Sequence, residues 1–174
     1  AASDVYKRQA QESKIIVNKD GLTKKEISLG VQSGVNFLIT KENGSTTPCK
    51  AQIIGLGGTP SPKLGPVDRA HGCVDQFHSE NGKFSVGLAP GKYKIVVTRG
   101  IEHDHFEKQI EVKKCKFEEI KTSLKRSVST PGWVSTDFHN HSTPSGDNVC
   151  GTPDRLINLA AEHIEFAPTT EHNR

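Results

Sequence analysis

From about Lys24 to Val128 the chain keeps alternating apolar and polar residues, the period of two that turns one face of a strand inward. VNFLIT (35–40) and CKAQIIGL (49–56) flank a turn-rich link, ENGSTTP, and predict two strands. The next stretch, GGTPSPKLGPVDRAHG, holds too many glycines and prolines for regular structure. ENGKFSVGL and APGKYKIVVTRG then alternate through Phe84, Val86 and Leu88 and through Tyr93, Ile95 and Val97. The Pro90-Gly91 turn between them predicts a hairpin. FEKQIEVKK and FEEIKTSLKRS complete the series with Ile110, Val112 and Ile120 inward. The predicted core adds Phe37, Ile39 and Ile53, and short strands at this spacing predict an all-β, Ig-like sandwich.

After Val128 the pattern changes. STPGW (129–133) reads as a linker and VSTDFHNHS as a strand. Thr152-Pro153-Asp154 reads as a helix start, with a hydroxyl N-cap, proline at the first position and an acid in the first turn. Leu156, Ile157, Leu159, Ala160 and Ile164 mark an apolar face expected to pack on a sheet. EFAPTT follows as a second strand, with Pro168 inside it and Ile164 where a helix-ending glycine is expected. The whole predicts a β-α-β unit with parallel strands. The chain thus divides into an N-terminal segment outside the fold (1–23), a sandwich (24–128), a linker (129–133) and a second domain (134–174).

That second domain carries the candidate chemistry. His139 and His141 stand one residue apart, so on a strand both imidazoles share a face while Asn140 points away. Asp147 follows, and His172 lies beyond the helix. Imidazoles with a carboxylate suit a borderline cation such as Zn²⁺, Mn²⁺ or Fe²⁺.

D-x-H-x-H-S, an acid six residues later, a helix and T-E-H-N together resemble the opening of the polymerase and histidinol phosphatase (PHP) superfamily of metallohydrolases. The preceding P-G-W and the form of the second motif are most similar to its carbaryl-hydrolase-like branch. The resemblance covers roughly residues 130 to 174. Upstream, G-x-F-x-V-x-L-x-P-G-x-Y-x-I-x-V resembles the carboxypeptidase regulatory-like, transthyretin-like sandwich that often precedes such a domain. The resemblance implies a (β/α) barrel holding two or three divalent ions. It implies His139, His141, Asp147 and His172 as metal ligands, with Asp137 and Glu171 orienting the imidazoles. The implied activity is hydrolysis of a small-molecule phosphoester, ester or carbamate by metal-activated water. The family's later motifs do not follow, so the expected fold is a sandwich and the first β-α-β unit of an incomplete barrel, binding metal weakly and without turnover. The alternative is a secreted Ig-like binding or spacer module with a degenerate metal motif.

Composition narrows this further. A typical eight-stranded barrel takes about 250 residues, and the whole chain has 174. The net charge of +3 comes from lysines scattered through the strands rather than gathered in a stripe, which argues against nucleic acid as a partner. No run approaches the roughly 20 apolar residues of a transmembrane helix. The first residues, AASDVYKRQ, do not flow into the fold and resemble translated adaptor sequence, and the chain stops just past a ligand motif; both predict a fragment. Cysteines number four, an even count that permits disulfides in an exported protein and equally fits free thiols with no common role, and the expected location is secreted, periplasmic or at the cell surface. A second H-x-H pair, His103 and His105, reads as a solvated loop, and His71, His78 and His163 as surface residues. Trp133 reads as a packing anchor at the domain junction. Ser142, Thr143 and Ser145 read as supports for the ligand loop, since no G-x-S-x-G elbow surrounds them.

Overall fold

The structure, a computed structural model, describes residues 32–65 and 73–172. The expected N-terminal segment 1–23 and His71 lie outside the described residues. Seven strands run in chain order: β1 (Gly34–Thr40), β2 (Cys49–Leu56), β3 (Gln76–Ser79), β4 (Lys83–Gly87), β5 (Gly91–Thr98), β6 (Phe106–Val112) and β7 (Phe117–Ser123). They form a three-stranded sheet, β4-β1-β7, and a four-stranded sheet, β3-β2-β5-β6. β1 pairs with β4 antiparallel, and with β7 parallel from Gly34↔Phe117 to Thr40↔Ser123.

Alternation drives this arrangement. Val35, Phe37 and Ile39 of β1 and Ile120 of β7 face Ala51 and Ile53 of β2 and Tyr93, Ile95 and Val97 of β5 in one buried cluster. Residues of both sheets share that cluster, so the core is the space between them. Phe84 stacks on Phe37 of its own sheet, centroids 4.5 Å apart, and on Phe77 of the other sheet at 4.9 Å. This ring stack closes one edge of the sandwich.

The predicted β4–β5 hairpin is not formed. The two strands lie in different sheets, and the Ala89-Pro90 link carries the chain across the core. Both strands still bury their alternate residues, but from opposite sides, and the Tyr93 hydroxyl ties the crossing by donating to Ala89 O at 2.9 Å. A Pro-Gly pair sets a local turn; it does not decide whether the chain returns in the same sheet.

The expected β-α-β unit of a (β/α) barrel is also overturned. The regular structure of the described residues is mostly strand, in two sheets, with a single short helix, α1 (Thr152–Ala161). The segments predicted as its flanking strands meet through one isolated parallel bridge, Thr136↔Phe166. Side chains compete with the ladder here: Asp137 Oδ1 accepts the His139 amide at 3.0 Å, and Asn140 Nδ2 donates to Pro168 O at 2.9 Å. Pro168 itself has no N–H to give. Phe138 (66% exposed) and Phe166 (54%) remain in solvent, so no apolar face holds these segments in a sheet.

The helix differs in detail from expectation. Its N-cap is Gly151, without a side-chain cap bond, while the Thr152 hydroxyl pairs with the Ser142 hydroxyl at 2.9 Å. It buries Asn158 and Ala161, whereas Leu156 is 61% exposed, so the inward face is rotated from the predicted apolar stripe. The left-handed residue ending it is His163 (φ 57), one before the predicted position. His163 N donates to Ala160 O and Ile164 N to Leu159 O, the paired bonds of a Schellman ending.

The helix end docks on the sandwich through a polar junction. Lys50 pairs with Glu162, and Arg99 Nη1 donates to Pro48 O at 2.6 Å and Ala160 O at 3.5 Å. The Glu162 carbonyl lies where a side chain on Gly100 would start. His103 meets His163 edge-to-face with centroids 4.8 Å apart, and Glu102 Oε2 lies 3.2 Å from His163 Nδ1. His103 and His163 are thus half-buried joint residues rather than solvated ones, and His78 is buried as well, while His105 is exposed as expected. Trp133, at 79% exposure, anchors nothing.

Burial first holds both joint imidazoles below the ordinary 6.5; at His103 the His163 ring and then Arg99 and Arg126 add to it, and at His163 Arg99 and Arg126 add to it while Glu165 and Glu102 oppose. A lowered folded pKa means that the contribution to docking is complete above 6.5 and is lost as pH falls through the folded value. The amide shifts of Gly100 and His163 are therefore expected to move together as pH drops below about 6.5. His103→Phe, which keeps a ring against His163, should shrink that response. Shifts indifferent to pH down to 5 would contradict this account of the joint.

Candidate metal centre

A loop from His141 to Gly151 builds the site between the isolated bridge and α1. It closes on itself: Ser145 N donates to Ser142 O at 2.9 Å, Thr143 N to Cys150 O at 2.9 Å, and Asn148 Nδ2 to His141 O at 3.2 Å. The chain after Pro168 runs beside it, with Asn140 N donating to Thr170 Oγ1 at 2.9 Å and Thr170 Oγ1 donating to Asn140 O at 2.7 Å.

Glu171 joins these two pieces. Its carboxylate accepts the Ser142 amide at 2.9 Å, the Ser142 hydroxyl at 2.7 Å and the Ser145 hydroxyl at 2.5 Å. The Ser145 hydroxyl in turn accepts the His172 amide at 2.9 Å. Donors from Ser145 and Ser142 hold the Glu171 carboxyl down to about 2, from an ordinary 4.5. Ser142 and Ser145 are 3% and 1% exposed, so the network sits behind the site, and the expected role of the serines as supports matches what they touch.

In front of it, one ligand atom each from His141, Asp147 and His172 lies within 4.8 Å of the other two. Asp147 Oδ2 stands 3.0 Å from His141 Nδ1 and 3.2 Å from His172 Nε2. The His141 ring, hydrogen-bonded to it, is the main cause holding the Asp147 carboxyl below its usual range. Ligand atoms about 2.0–2.2 Å from a common ion lie at most about 4.4 Å apart. The widest pair must therefore close by a few tenths of an ångström to stand opposite one another across an ion and by more to share a tetrahedral one, and the two nitrogens and one oxygen suit Zn²⁺, Mn²⁺ or Fe²⁺.

His139 is beside this group rather than in it. Its ring is 5.0 Å from that of His141 and exposed, and it lines an adjoining cavity of about 270 Å³ with Asp137 and His141. Without a regular strand under residues 139 to 141, the shared face predicted for the pair is not enforced. Asp137 and Glu171, expected to orient imidazoles, bind backbone amides and hydroxyls instead. Arg155, overlooked in the sequence, donates from Nε to His141 O at 2.9 Å. It lies in the first turn of α1, facing the ligand loop, a position that no motif in the sequence singles out.

The cysteines form no disulfide among the described residues. Burial pushes the Cys49 thiol up to about 12, so it stays protonated in the core. No helix among the described residues is long and apolar enough to cross a membrane. No family model matches the chain, and no curated protein and no solved structure matches it either.

Proposed function

We propose that the segment after the linker forms a divalent-metal site of a metal-dependent hydrolase, with His141, Asp147 and His172 as its ligands. The observation that carries this is the convergence of two imidazoles and a carboxylate within 4.8 Å on a loop braced from behind by Glu171. The resemblance of D-x-H-x-H-S and T-E-H-N to the metal motifs of PHP-type hydrolases supports the choice of reaction. Three protein ligands leave coordination positions open, as catalytic sites do and structural zinc sites do not. A bound ion would supply a water of lowered pKa and a Lewis acid for the carbonyl or phosphoryl oxygen. The residues of the chain supply the rest. Glu171 and Ser145 hold His172 in place, and Asp147 keeps both imidazoles turned toward one another. The substrate classes are small phosphoesters, esters and carbamates.

The test is calorimetric titration of the full chain with Mn²⁺ and Zn²⁺. One ion per chain is expected, and Asp147→Asn should weaken binding by at least about tenfold, as loss of a charged ligand does. His172→Ala should do the same, and His105→Ala should change nothing. Binding that survives both ligand substitutions would refute the site and favour a sandwich spacer with a degenerate motif.

A further inference from the structure

We propose that Arg155 is a specificity-determining residue that receives a paired oxyanion, the phosphoryl or carboxylate group of a small ligand, beside the metal triad. The proposal rests on the metal reading above and adds the chemistry of what binds next to the ion.

The guanidinium is fixed, half-buried, against a ligand residue: its Nε donates to the backbone oxygen of His141 at 2.9 Å. That bond uses one of five N–H groups. Among the described residues the terminal amino groups make no further hydrogen bond or ion pair, so the end of the fork is unengaged. Arg155 lines the cavity of about 270 Å³ together with Asp137, His139, Asn140, His141 and Asn148. It is the one permanent cation in that lining.

Most donors of the wall other than the His139 ring are already committed: Asn148 Nδ2 donates to His141 O and Asn140 Nδ2 to Pro168 O, while Asp137 Oδ1 accepts the His139 amide. What Arg155 offers a ligand is a planar edge with two parallel N–H groups, the geometry that matches two oxygens of a carboxylate or phosphoryl group. Asp137 in the same lining opposes a lone anion. A cation held by His141 and its partners offsets that charge, so oxyanion binding is conditional on the metal.

The experiment uses the full chain in two stages. Mn²⁺ affinity is measured first; inorganic phosphate and, separately, acetate are then titrated onto the Mn²⁺-loaded chain. Phosphate or acetate should bind only with Mn²⁺ present, the tighter of the two naming the group. On the fully Mn²⁺-loaded chain, Arg155→Gln should weaken that binding roughly ten- to hundredfold, the range for a lost charge-assisted pair, and by more than any change in its Mn²⁺ affinity. Arg155→Lys, which keeps the charge without the fork, should fall between. Equal anion affinity in wild type and Arg155→Gln would overturn this proposal alone. A parallel loss of Mn²⁺ and anion affinity would make Arg155 a brace for His141 and overturn it too. Failure of the wild-type chain to bind Mn²⁺ at all would remove the metal reading and this proposal together.

Discussion

Replacing Glu171 by glutamine is expected to weaken metal binding by roughly ten- to hundredfold, the usual cost of removing a group that holds ligands in place. The carboxylate accepts two hydroxyls and an amide, and it ties the loop bearing Asp147 to the segment that ends in His172. An amide at this position loses the charge and turns a donor toward groups that are themselves donors. The same carboxyl sets a pH window. Its folded pKa is about 2 against an ordinary 4.5, so its contribution to local order is complete above 4.5 and lost as pH falls toward 2. Protection of the His172 amide against hydrogen exchange, taken relative to its intrinsic rate at each pH and measured without metal, should fall across that window in the wild type. In Glu171→Gln that protection should be low already at pH 5. Wild-type metal affinity in the variant would show that the loop holds its shape without the carboxylate.

Gly82→Ala is expected to cost the sandwich roughly 3 kcal/mol or more, through left-handed strain and a collision that has no easy relief. Gly82 lies at φ 74 and is buried; a Cβ there would press on the backbone oxygens of Thr47 and Ile39, the latter at 2.6 Å. Neither oxygen belongs to a flexible side chain. Ile39 O also accepts the Thr47 amide, and Ile39 N donates to Gly82 O at 2.8 Å, so any shift breaks bonds at the end of β1. Gly44 is the control: its φ is 82, but nothing lies within 4 Å of its added Cβ. Gly44→Ala should therefore show the conformational cost alone, about 1 kcal/mol. Urea denaturation with unchanged slope would give both values. Equal losses at the two positions would mean that the crowding around Gly82 relaxes freely.

The strands were legible because alternation is a local signal with a large energetic consequence. Phe37, Ile39, Ile53, Val86, Tyr93, Ile95, Val97 and Val112 are all buried as their period predicts. Phe84 and Ile110 pack against that core while only partly buried. What local pattern does not carry is sheet membership. Phe84 and Tyr93 alternate identically, and only the whole topology decides that their strands belong to different sheets. The C-terminal reading failed for a related reason. VSTDFHNHS and EFAPTT have strand-like composition, but a strand needs neighbours and a buried face. Here Asp137 and Asn140 offer the backbone other partners, and Phe138 and Phe166 meet only edge-to-face, 6.1 Å apart, while staying largely in solvent. At the site, chemistry was legible and geometry was not. The spacing singled out His141, Asp147 and His172, which the fold brings together. His139 was grouped with them on the strength of a strand that does not form. Arg155 was missed because an arginine in a first helical turn has no distinctive spacing of its own.

The parallel pairing of β1 with β7 gives the sandwich a mechanical character. Chain enters β1 at Gly34 and leaves β7 at Ser123, and the two strands run side by side in the same direction. Tension applied through the flanking chain therefore pulls the strands along their length in opposite senses. All seven register pairs from Gly34↔Phe117 to Thr40↔Ser123 then resist at once, in shear, instead of parting one after another like a zip. Force applied between Gly34 and Ser123 meets its stiffest resistance where β1 and β7 run side by side, and the histidine loop lies in the chain beyond that clamp.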